Sequence, residues 1–316
     1  MVGVDFKEKE KQSRQALRLA SEMSKEYYGE PLVIAYSGGK DSDVMLDLAE
    51  KELSVDDFIV ANSHTTVDAP ETVYHIRNVF KRLEDRGVKT QIIYPEISMW
   101  RLIVKKGMPP TRLQRYCCKE LKEISVPNRL VSLGVRAEES KIRKGRDTFG
   151  VRGATYQKAI FFSLDHAEEV HRESMEINDS VWDCTLIKTM KEHKDTVVNP
   201  IYEWTKEEIW FYIRQNSITY NPMYDRGYDR VGCIGCPMGG YASQIREFAD
   251  YPKYKDLYIN AFDRMIEEKK RNGKPIRNGW ETGKDVFDWW IGKHYREVKG
   301  QMTLEDYLKE SEVNNE

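Results

Sequence analysis

Four of the five cysteines in this sequence form two closely spaced pairs. Cys117 and Cys118 are adjacent, and two residues separate Cys233 from Cys236. Four thiolates can bind tetrahedral zinc or a [4Fe–4S] cluster, and a Cys-x-x-Cys pair suits either. An adjacent pair is less usual in structural zinc sites, whose ligands are normally about two to four residues apart. The spacing therefore favours a cluster over zinc, and buried cysteines that bind no metal are the third alternative.

A glycine-rich turn, Ser-Gly-Gly-Lys-Asp-Ser, occupies residues 37–42 between an apolar run and a helical pattern. Its glycines let backbone N–H groups approach an anion, and the following helix presents its positive N-terminal end. The lysine adds a point charge, and the aspartate can help to hold Mg²⁺. The spacing differs from a Walker A loop, and a plain strand-to-helix turn is the alternative. The predicted nucleotide-binding residues are Ser37, Gly38, Gly39, Lys40, Asp41 and Ser42.

The elements that must position these residues alternate between strands and helices. Such an order predicts a doubly wound, parallel α/β sheet with right-handed crossovers. Ligands of these sheets bind beyond the carboxyl ends of the strands. We therefore expect residues 37–42, residues 63–68 and the loop after Val135 to share one site, with the two cysteine pairs meeting beside it. Strands are predicted at residues 31–36, 57–63, 89–94 and 130–135, and helices at 6–28, 42–52, 70–86 and 205–216.

The chain is predicted to have three segments. These are an N-terminal helix at residues 1–28, a Rossmann-like nucleotide-binding domain at 29–240 and a mostly helical C-terminal extension at 241–316. No apolar run approaches the ~20 residues of a membrane span, and the charged N-terminus lacks the apolar core of a secretory signal. The expected location is the cytoplasm, with no membrane partner, where thiols stay reduced and a disulfide framework is not expected.

Positive charge is concentrated in one part of the chain. The net charge is −2, yet residues 101–146 contain 13 Lys or Arg and 4 Asp or Glu. This segment faces an anionic partner or forms a solvated surface. Near the first cysteine pair, Lys119 and Lys122 favour thiolates. Farther along, basic residues surround Trp289 and Trp290, a combination that can bind nucleic acid or can reflect core packing beside a solvated loop.

Several motifs together resemble a known family. AYSGGKDSDVMLDLA, at residues 35–49, resembles the PP-loop of the adenine nucleotide alpha-hydrolase superfamily. GVRAEES at 134–140, NPIYEWTKEEIWFYI at 199–213 and the two cysteine pairs resemble the iron–sulfur class of phosphoadenylyl sulfate (PAPS) and adenylyl sulfate (APS) reductases. The resemblance implies that one [4Fe–4S] cluster is bound by Cys117, Cys118, Cys233 and Cys236, with Lys122 close to it.

The same resemblance implies roles at the nucleotide. Arg136, in GVRAEES, takes the place of the family's substrate-phosphate contact, and we expect it to act in catalysis with Lys40 and Asp41. Arg143 is expected to steady the phosphates as well. Asp68 is a further candidate contact for the nucleotide or Mg²⁺, and capping of the helix that follows is its alternative role.

Two departures from the reductases shape the expected function. The reductases use a cysteine near the C-terminus, whereas this sequence has none after Cys236, so Cys184 would be the free thiol, in an apolar stretch typical of an inert one. The intact glycine turn resembles that of enzymes splitting ATP between the α and β phosphates. Together with a cluster it resembles DNA phosphorothioation and tRNA thiolation enzymes.

We therefore expect ATP- and Mg²⁺-dependent activation coupled to sulfur transfer, with a sulfur donor protein as partner and a nucleic acid as a candidate acceptor. A PAPS or APS reductase that works with thioredoxin is the second hypothesis. A non-catalytic module that senses nucleotide and redox state is the third.

Overall fold

The structure is a computed structural model that describes two compact units. The described residues are 4–122, 128–141, 143–151, 159–176, 185–192, 195–276 and 279–293. The first unit takes those within Met1–His64, Asp68–Tyr94 and Ile124–Gly232. The second takes those within Thr65–Val67, Pro95–Glu123 and Cys233–Glu316. Each unit is therefore assembled from segments that alternate along the chain. The predicted segments 1–28, 29–240 and 241–316 are instead consecutive, and their boundaries stay a prediction.

The first unit is built on one sheet. Its described strands lie in the order β3-β2-β1-β4-β7-β5-β6. The pairs β3–β2, β2–β1, β1–β4 and β4–β7 are parallel, while β5 is antiparallel to both of its neighbours. The predicted α/β fold is therefore confirmed, with an added antiparallel edge. The strands are β1 (Leu32–Ala35), β2 (Phe58–Ser63), β3 (Lys89–Ile93), β4 (Leu130–Ser132), β5 (Phe149–Val151), β6 (Ile160–Phe162) and β7 (Thr196–Val198).

The described helices divide between the two units. The first unit contains α1, α2, α3, α5, α6 and α7, and the second contains α4, α8, α9 and α10. No described helix is long and apolar enough to cross a membrane. In chain order the helices are α1 (Val4–Tyr28), α2 (Lys40–Glu52), α3 (Pro70–Glu84), α4 (Met99–Lys106), α5 (Leu164–Glu176), α6 (Thr185–Lys191), α7 (Lys206–Gln215), α8 (Gly240–Asp250), α9 (Pro252–Arg271) and α10 (Gly283–Trp290).

Local sequence signals explain where α2 and α7 begin. Helix α7 starts after Thr205, whose side chain accepts from the Glu208 backbone N–H, while the Glu208 carboxylate accepts from the Thr205 N–H. This capping box satisfies two N–H groups that a helix start leaves unpaired. Helix α2 starts at Lys40, two residues before the predicted position, because the extended residue Gly39 is its N-cap.

The strand order creates a binding position in the first unit. After β1 the chain forms β2 and β3, which lie on one side of β1 within the sheet, and it later forms β4 on the other side of β1. Ligands of doubly wound sheets bind at such a switch point, beyond the carboxyl ends of the strands. Residues 37–39 follow β1, and Arg136 follows β4. The fold therefore directs both predicted phosphate-binding segments to this position.

The described part of the second unit packs around aromatic rings. The ring centres of Tyr258 and Trp290 are 4.8 Å apart, and those of Phe248 and Phe287 are 4.9 Å apart. These rings come from α8, α9 and α10, and all four side chains are buried. Trp290 therefore packs in a core, in agreement with the packing alternative for this residue.

Candidate functional site

The glycine turn at residues 37–42 is held by hydrogen bonds within the first unit. The Ser42 hydroxyl donates to the Gly39 carbonyl over 2.7 Å and accepts from the Gly39 N–H over 3.1 Å. The Asn221 side-chain amide donates to the Gly38 carbonyl over 2.9 Å, and the Lys40 N–H donates to the Tyr224 hydroxyl over 3.1 Å. The turn is therefore fixed before any ligand binds. Asn221 and Tyr224 were not among the predicted site residues.

Only glycine suits position 38. Its φ of 71° is left-handed, and a Cβ placed there would lie 2.8 Å from Cγ1 of Ile76. Replacement of Gly38 by alanine is therefore expected to lower the free energy of unfolding by about 2 kcal/mol, the sum of backbone strain and a clash with α3. Chemical denaturation measures this loss.

Gly29 provides the matched control for Gly38→Ala. Its φ is 67°, yet a Cβ there would meet nothing within 4 Å. Gly29→Ala therefore adds backbone strain without a clash, and we expect it to lower the free energy of unfolding by about 1 kcal/mol. Equal losses of unfolding free energy in the two variants would show that the clash between an added Cβ at position 38 and Ile76 contributes nothing.

Two buried cations share one carboxylate next to the turn. Lys40 Nζ lies 2.6 Å from Oδ2 of Asp41, and Arg136 Nε lies 2.6 Å from Oδ1 of the same residue. A second guanidinium nitrogen of Arg136 is 2.7 Å from Glu138. Lys40 is 5% exposed and Arg136 is 4% exposed. Both cations therefore lie at the start of α2, where the helix end adds further positive potential.

A close backbone approach explains why Arg136 reaches Asp41. A Cβ built on Gly134 would lie 3.2 Å from the carbonyl carbon of Asp41. The loop after β4 thus runs directly against the first turn of α2, and any larger residue at position 134 would separate them. Gly134 was not predicted as a site residue, although the motif GVRAEES contains it.

Arg143 and two further arginines lie near Arg136 and Asp41. Burial first, and then the positive charges of Arg146, Arg230 and Arg136, lower the pKa of the Arg143 guanidinium, whereas Asp41 raises it. Arg143 also forms an ion pair with Glu139. Since like charges are gathered near one point, a bound polyanion would relieve their repulsion. Arg146 and Arg230 add to the predicted set.

A buried polar network supports the turn from behind. Oδ1 of Asp43 accepts from the Tyr36 hydroxyl over 2.5 Å and lies 2.9 Å from Nε2 of His75. The three side chains join the segment after β1 to α2 and α3. Burial raises the pKa of Asp43, while the bond to His75 opposes the rise. None of the three was predicted as a site residue.

Asp68 lies just outside α3 in the described structure. It is half-buried, and Ala69, one residue later, is the N-cap of the helix. Asp68 is therefore not itself the N-cap residue of α3, and its capping role stays a prediction. Its contact with a nucleotide or Mg²⁺ stays a prediction.

In the second unit, the four paired cysteines line a single cavity. Cys117 and Cys118 reach it from the end of the 95–123 segment, and Cys233 and Cys236 reach it from the start of the C-terminal segment. Residues Cys118–Lys122 form a short π-helix, an irregularity frequent at functional sites. The structure thus brings together two pairs that are more than a hundred residues apart in sequence. The remaining lining includes Thr65, Met99, Pro110, Leu121, Lys122 and Tyr258.

Within the first cysteine pair, Cys117 holds its proton more tightly than Cys118 does. A hydrogen bond from Cys117 lowers the pKa of the Cys118 thiol below its usual value; burial opposes this shift, while a hydrogen bond from Arg115 and the charge of Lys122 add to it. The same bond and burial raise the pKa of Cys117. Arg115 Nη2 lies 3.5 Å from the Cys118 sulfur. These contacts favour the thiolate form of Cys118, the form that binds metals.

The sulfur atoms share a cavity without the geometry of an assembled centre. Within the described residues, no group of three or more His, Cys, Asp or Glu side chains is arranged to hold a metal ion. The assignment of Cys117, Cys118, Cys233 and Cys236 as ligands thus stays a prediction. Cys184, the remaining thiol, lies outside the described residues.

A match between this sequence and a family model identifies the family of the chain. The model of the phosphoadenosine phosphosulfate reductase domain matches residues 31–238. The chain belongs to this family. The resemblance inferred from residues 35–49, 134–140 and 199–213 is thereby confirmed, as is the prediction that the chain belongs to a family of enzymes. The match covers both the glycine turn and the four paired cysteines.

Individual relatives are distant. An uncharacterized protein of Methanocaldococcus jannaschii is 27% identical over 267 residues, which are 84% of this chain and 47% of the relative. This chain therefore spans about half the length of that relative. The adenosine 5'-phosphosulfate reductase of Anoxybacillus flavithermus is 22% identical over 69% of this chain and 78% of the relative. The crystal structure of the Candida auris PAPS reductase is 17% identical, covers 70% of this chain and 88% of its own, and has a TM-score of 0.45.

Proposed function

We propose that this protein activates an acceptor with ATP and couples that activation to sulfur transfer. The observation that carries the proposal is the complete glycine turn with two buried cations, Lys40 and Arg136, at the start of α2. A turn that has a fixed shape, a helix N-terminus and convergent cations suits a triphosphate. Arg143, whose guanidinium is influenced by the positive charges of Arg146, Arg230 and Arg136, adds further cationic groups near the turn.

The proposed chemistry begins at the α phosphate of ATP. Residues 37–42 and Lys40 hold the β and γ phosphates with Mg²⁺, while Arg136 and Arg143 steady the charge that develops. An acceptor oxygen attacks the α phosphorus, the bond to the β phosphate breaks, and pyrophosphate leaves. A sulfur nucleophile from a donor protein then forms a bond to the activated atom of the acceptor, and AMP departs with the bonding electrons. A nucleic acid is the candidate acceptor.

The thiol cavity fits a [4Fe–4S] cluster by its donor set. Four cysteines line it, and the positive charges of Arg115 and Lys122 favour the thiolate form of Cys118. Such a cluster would supply a place to hold sulfur or an electron. Lys122 lies in the lining, which supports its proposed role beside the cluster. Zinc on the same four thiolates is the alternative metal.

A reductase of PAPS or APS is the second candidate function. The family match and the APS reductase relatives favour it. Such an enzyme would transfer the sulfonyl group to a thiol, for which Cys184 is the candidate, and thioredoxin would release sulfite. It uses the same nucleotide site but no ATP.

Product analysis separates these functions. Anaerobically purified protein is incubated with ATP and Mg²⁺ and a panel of acceptors, or with APS or PAPS and thioredoxin. We expect AMP and pyrophosphate in equal amounts from ATP. Sulfite that disappears in Cys184→Ser would instead establish the reductase. Nucleotide binding without any turnover across the panel would support a sensing module and contradict the proposal.

A lysine pair on α2 tests the role of the turn. Lys40→Met removes the buried charge at similar length and is expected to lower pyrophosphate release by about 10²-fold. Lys51→Met removes a lysine from the other end of the helix, where it pairs with Asp47, and should leave the rate unchanged. Equal rates in both variants would exclude Lys40 from the reaction.

A further inference from the structure

The thiol cavity is supported by the helices after residue 240, whose role the sequence did not reveal. The backbone between Cys233 and Cys236 makes three hydrogen bonds to side chains of α8 and α9. The Gly235 N–H donates to the Glu247 carboxylate over 2.6 Å, and the Gln244 amide donates to the Gly235 carbonyl over 3.1 Å. The Tyr258 hydroxyl donates to the Ile234 carbonyl over 3.0 Å.

These supporting side chains are themselves buried and fixed. Gln244 and Tyr258 are each 1% exposed, and Glu247 is 9% exposed. A second Glu247 oxygen accepts from the Ser243 hydroxyl over 2.8 Å, so the carboxylate is held on both sides. A buried carboxylate aimed at a backbone N–H forms a strong, charge-assisted bond. The turn between the two cysteines therefore has little freedom to move.

Close packing adds to these bonds. Gly235 has a φ of 74°, and a Cβ there would lie 2.5 Å from Phe248 and 3.1 Å from Trp290. The turn thus lies directly on the aromatic core of the second unit. Trp290 also donates its indole N–H to the Pro110 carbonyl over 2.6 Å, in the segment that leads to Cys117. One aromatic cluster consequently holds the segments that carry both cysteine pairs.

We infer that Gln244, Glu247 and Tyr258 are positioning residues that set the Cys233–Cys236 turn for metal binding. The inference rests on the proposed metal centre. Side chains behind the ligands fix ligand orientation, and their loss commonly lowers metal affinity by about 10- to 100-fold. The region after residue 240 is then part of the centre, although it contributes none of the four cysteines.

Cobalt(II) titration of the metal-free, reduced chain tests this inference without cluster assembly. The sulfur-to-cobalt absorption reports thiolate coordination, and the titration gives the affinity. Tyr258→Phe removes only the hydroxyl and is expected to weaken Co²⁺ binding by about 10-fold. Glu247→Leu should weaken it at least as much, whereas Glu247→Gln, which keeps an acceptor oxygen, should recover most of the affinity.

The control variant is Tyr241→Phe, which removes a hydroxyl from a half-exposed tyrosine of α8. Thermal unfolding shows whether each variant is folded. If the parent chain binds no Co²⁺ through sulfur, the proposed metal centre fails. If the parent binds and folded Tyr258→Phe and Glu247→Leu bind equally well, the metal centre stands and the positioning role is wrong.

Discussion

Serine at any one of the four paired cysteine positions is expected to remove the metal centre. The parent chain, purified without oxygen, should contain about four iron atoms and four acid-labile sulfides. Each variant loses one thiolate ligand, and the hydroxyl that replaces it is a poor ligand for iron. We expect iron to fall below about one atom per chain, together with the visible absorption of the cluster.

The fifth cysteine supplies the control. Cys184→Ser leaves all four proposed ligands intact and should retain full iron content. Zinc in place of iron in the parent chain would establish the other tetrathiolate centre. Iron retained in Cys117→Ser and in Cys233→Ser would show that the two pairs do not ligate one centre, even though they line one cavity.

Strong local signals made the first half of the sheet predictable. The run Leu32–Ala35 is continuously apolar and lies between a proline and the glycine turn, so its strand was evident. By contrast, β5 and β6 are three residues each, too short for a periodic pattern to stand out. They lie antiparallel at the sheet edge, a direction that the order of strands and helices did not predict.

The candidate site was predictable where chemistry and motif coincide. Residues 37–42 and the cysteine pairs combine unusual residue types with short spacing, and Arg136 followed from a family motif. The supporting residues carry no such signal. Asp43 and His75 are 32 residues apart in sequence, and a buried ion pair or hydrogen bond between them follows only from how α2 and α3 pack.

The same limit applies to the second unit. Tyr258 is 24 residues from Ile234, and nothing in its own helix distinguishes it from an ordinary core tyrosine. The role of its hydroxyl follows only from the tertiary structure, in which it donates to the Ile234 carbonyl between Cys233 and Cys236. Sequence patterns thus identify groups that react with a ligand, whereas groups that position them depend on tertiary packing.

Asp41→Asn is expected to destabilise the chain strongly and to make its stability depend on bound anion. In the parent, the Asp41 carboxylate neutralises both Lys40 and Arg136, which are buried. The amide leaves two buried positive charges without this partner. Removal of one member of a buried ion pair typically costs about 3–5 kcal/mol, and we expect a loss in that range. Denaturation in phosphate-free buffer measures it.

Pyrophosphate should reverse much of this loss. An anion on the turn supplies the negative charge that the amide variant lacks, whereas in the parent it must share the two cations with Asp41. Since ligand binding to the folded chain stabilises it in proportion to affinity, saturating pyrophosphate should raise the unfolding temperature more in Asp41→Asn than in the parent.

Asp288 is the matched control, because it too pairs with two lysines, Lys284 and Lys293, but these are 71% and 57% exposed. Exposed pairs contribute about 0–1 kcal/mol, so Asp288→Asn should change little and should not respond to pyrophosphate. An Asp41→Asn chain as stable as the parent, with no added response to pyrophosphate, would mean that the cations at the start of α2 do not form an anion site. The nucleotide would then have to bind elsewhere, and the proposed activation of an acceptor by ATP would lose its structural basis.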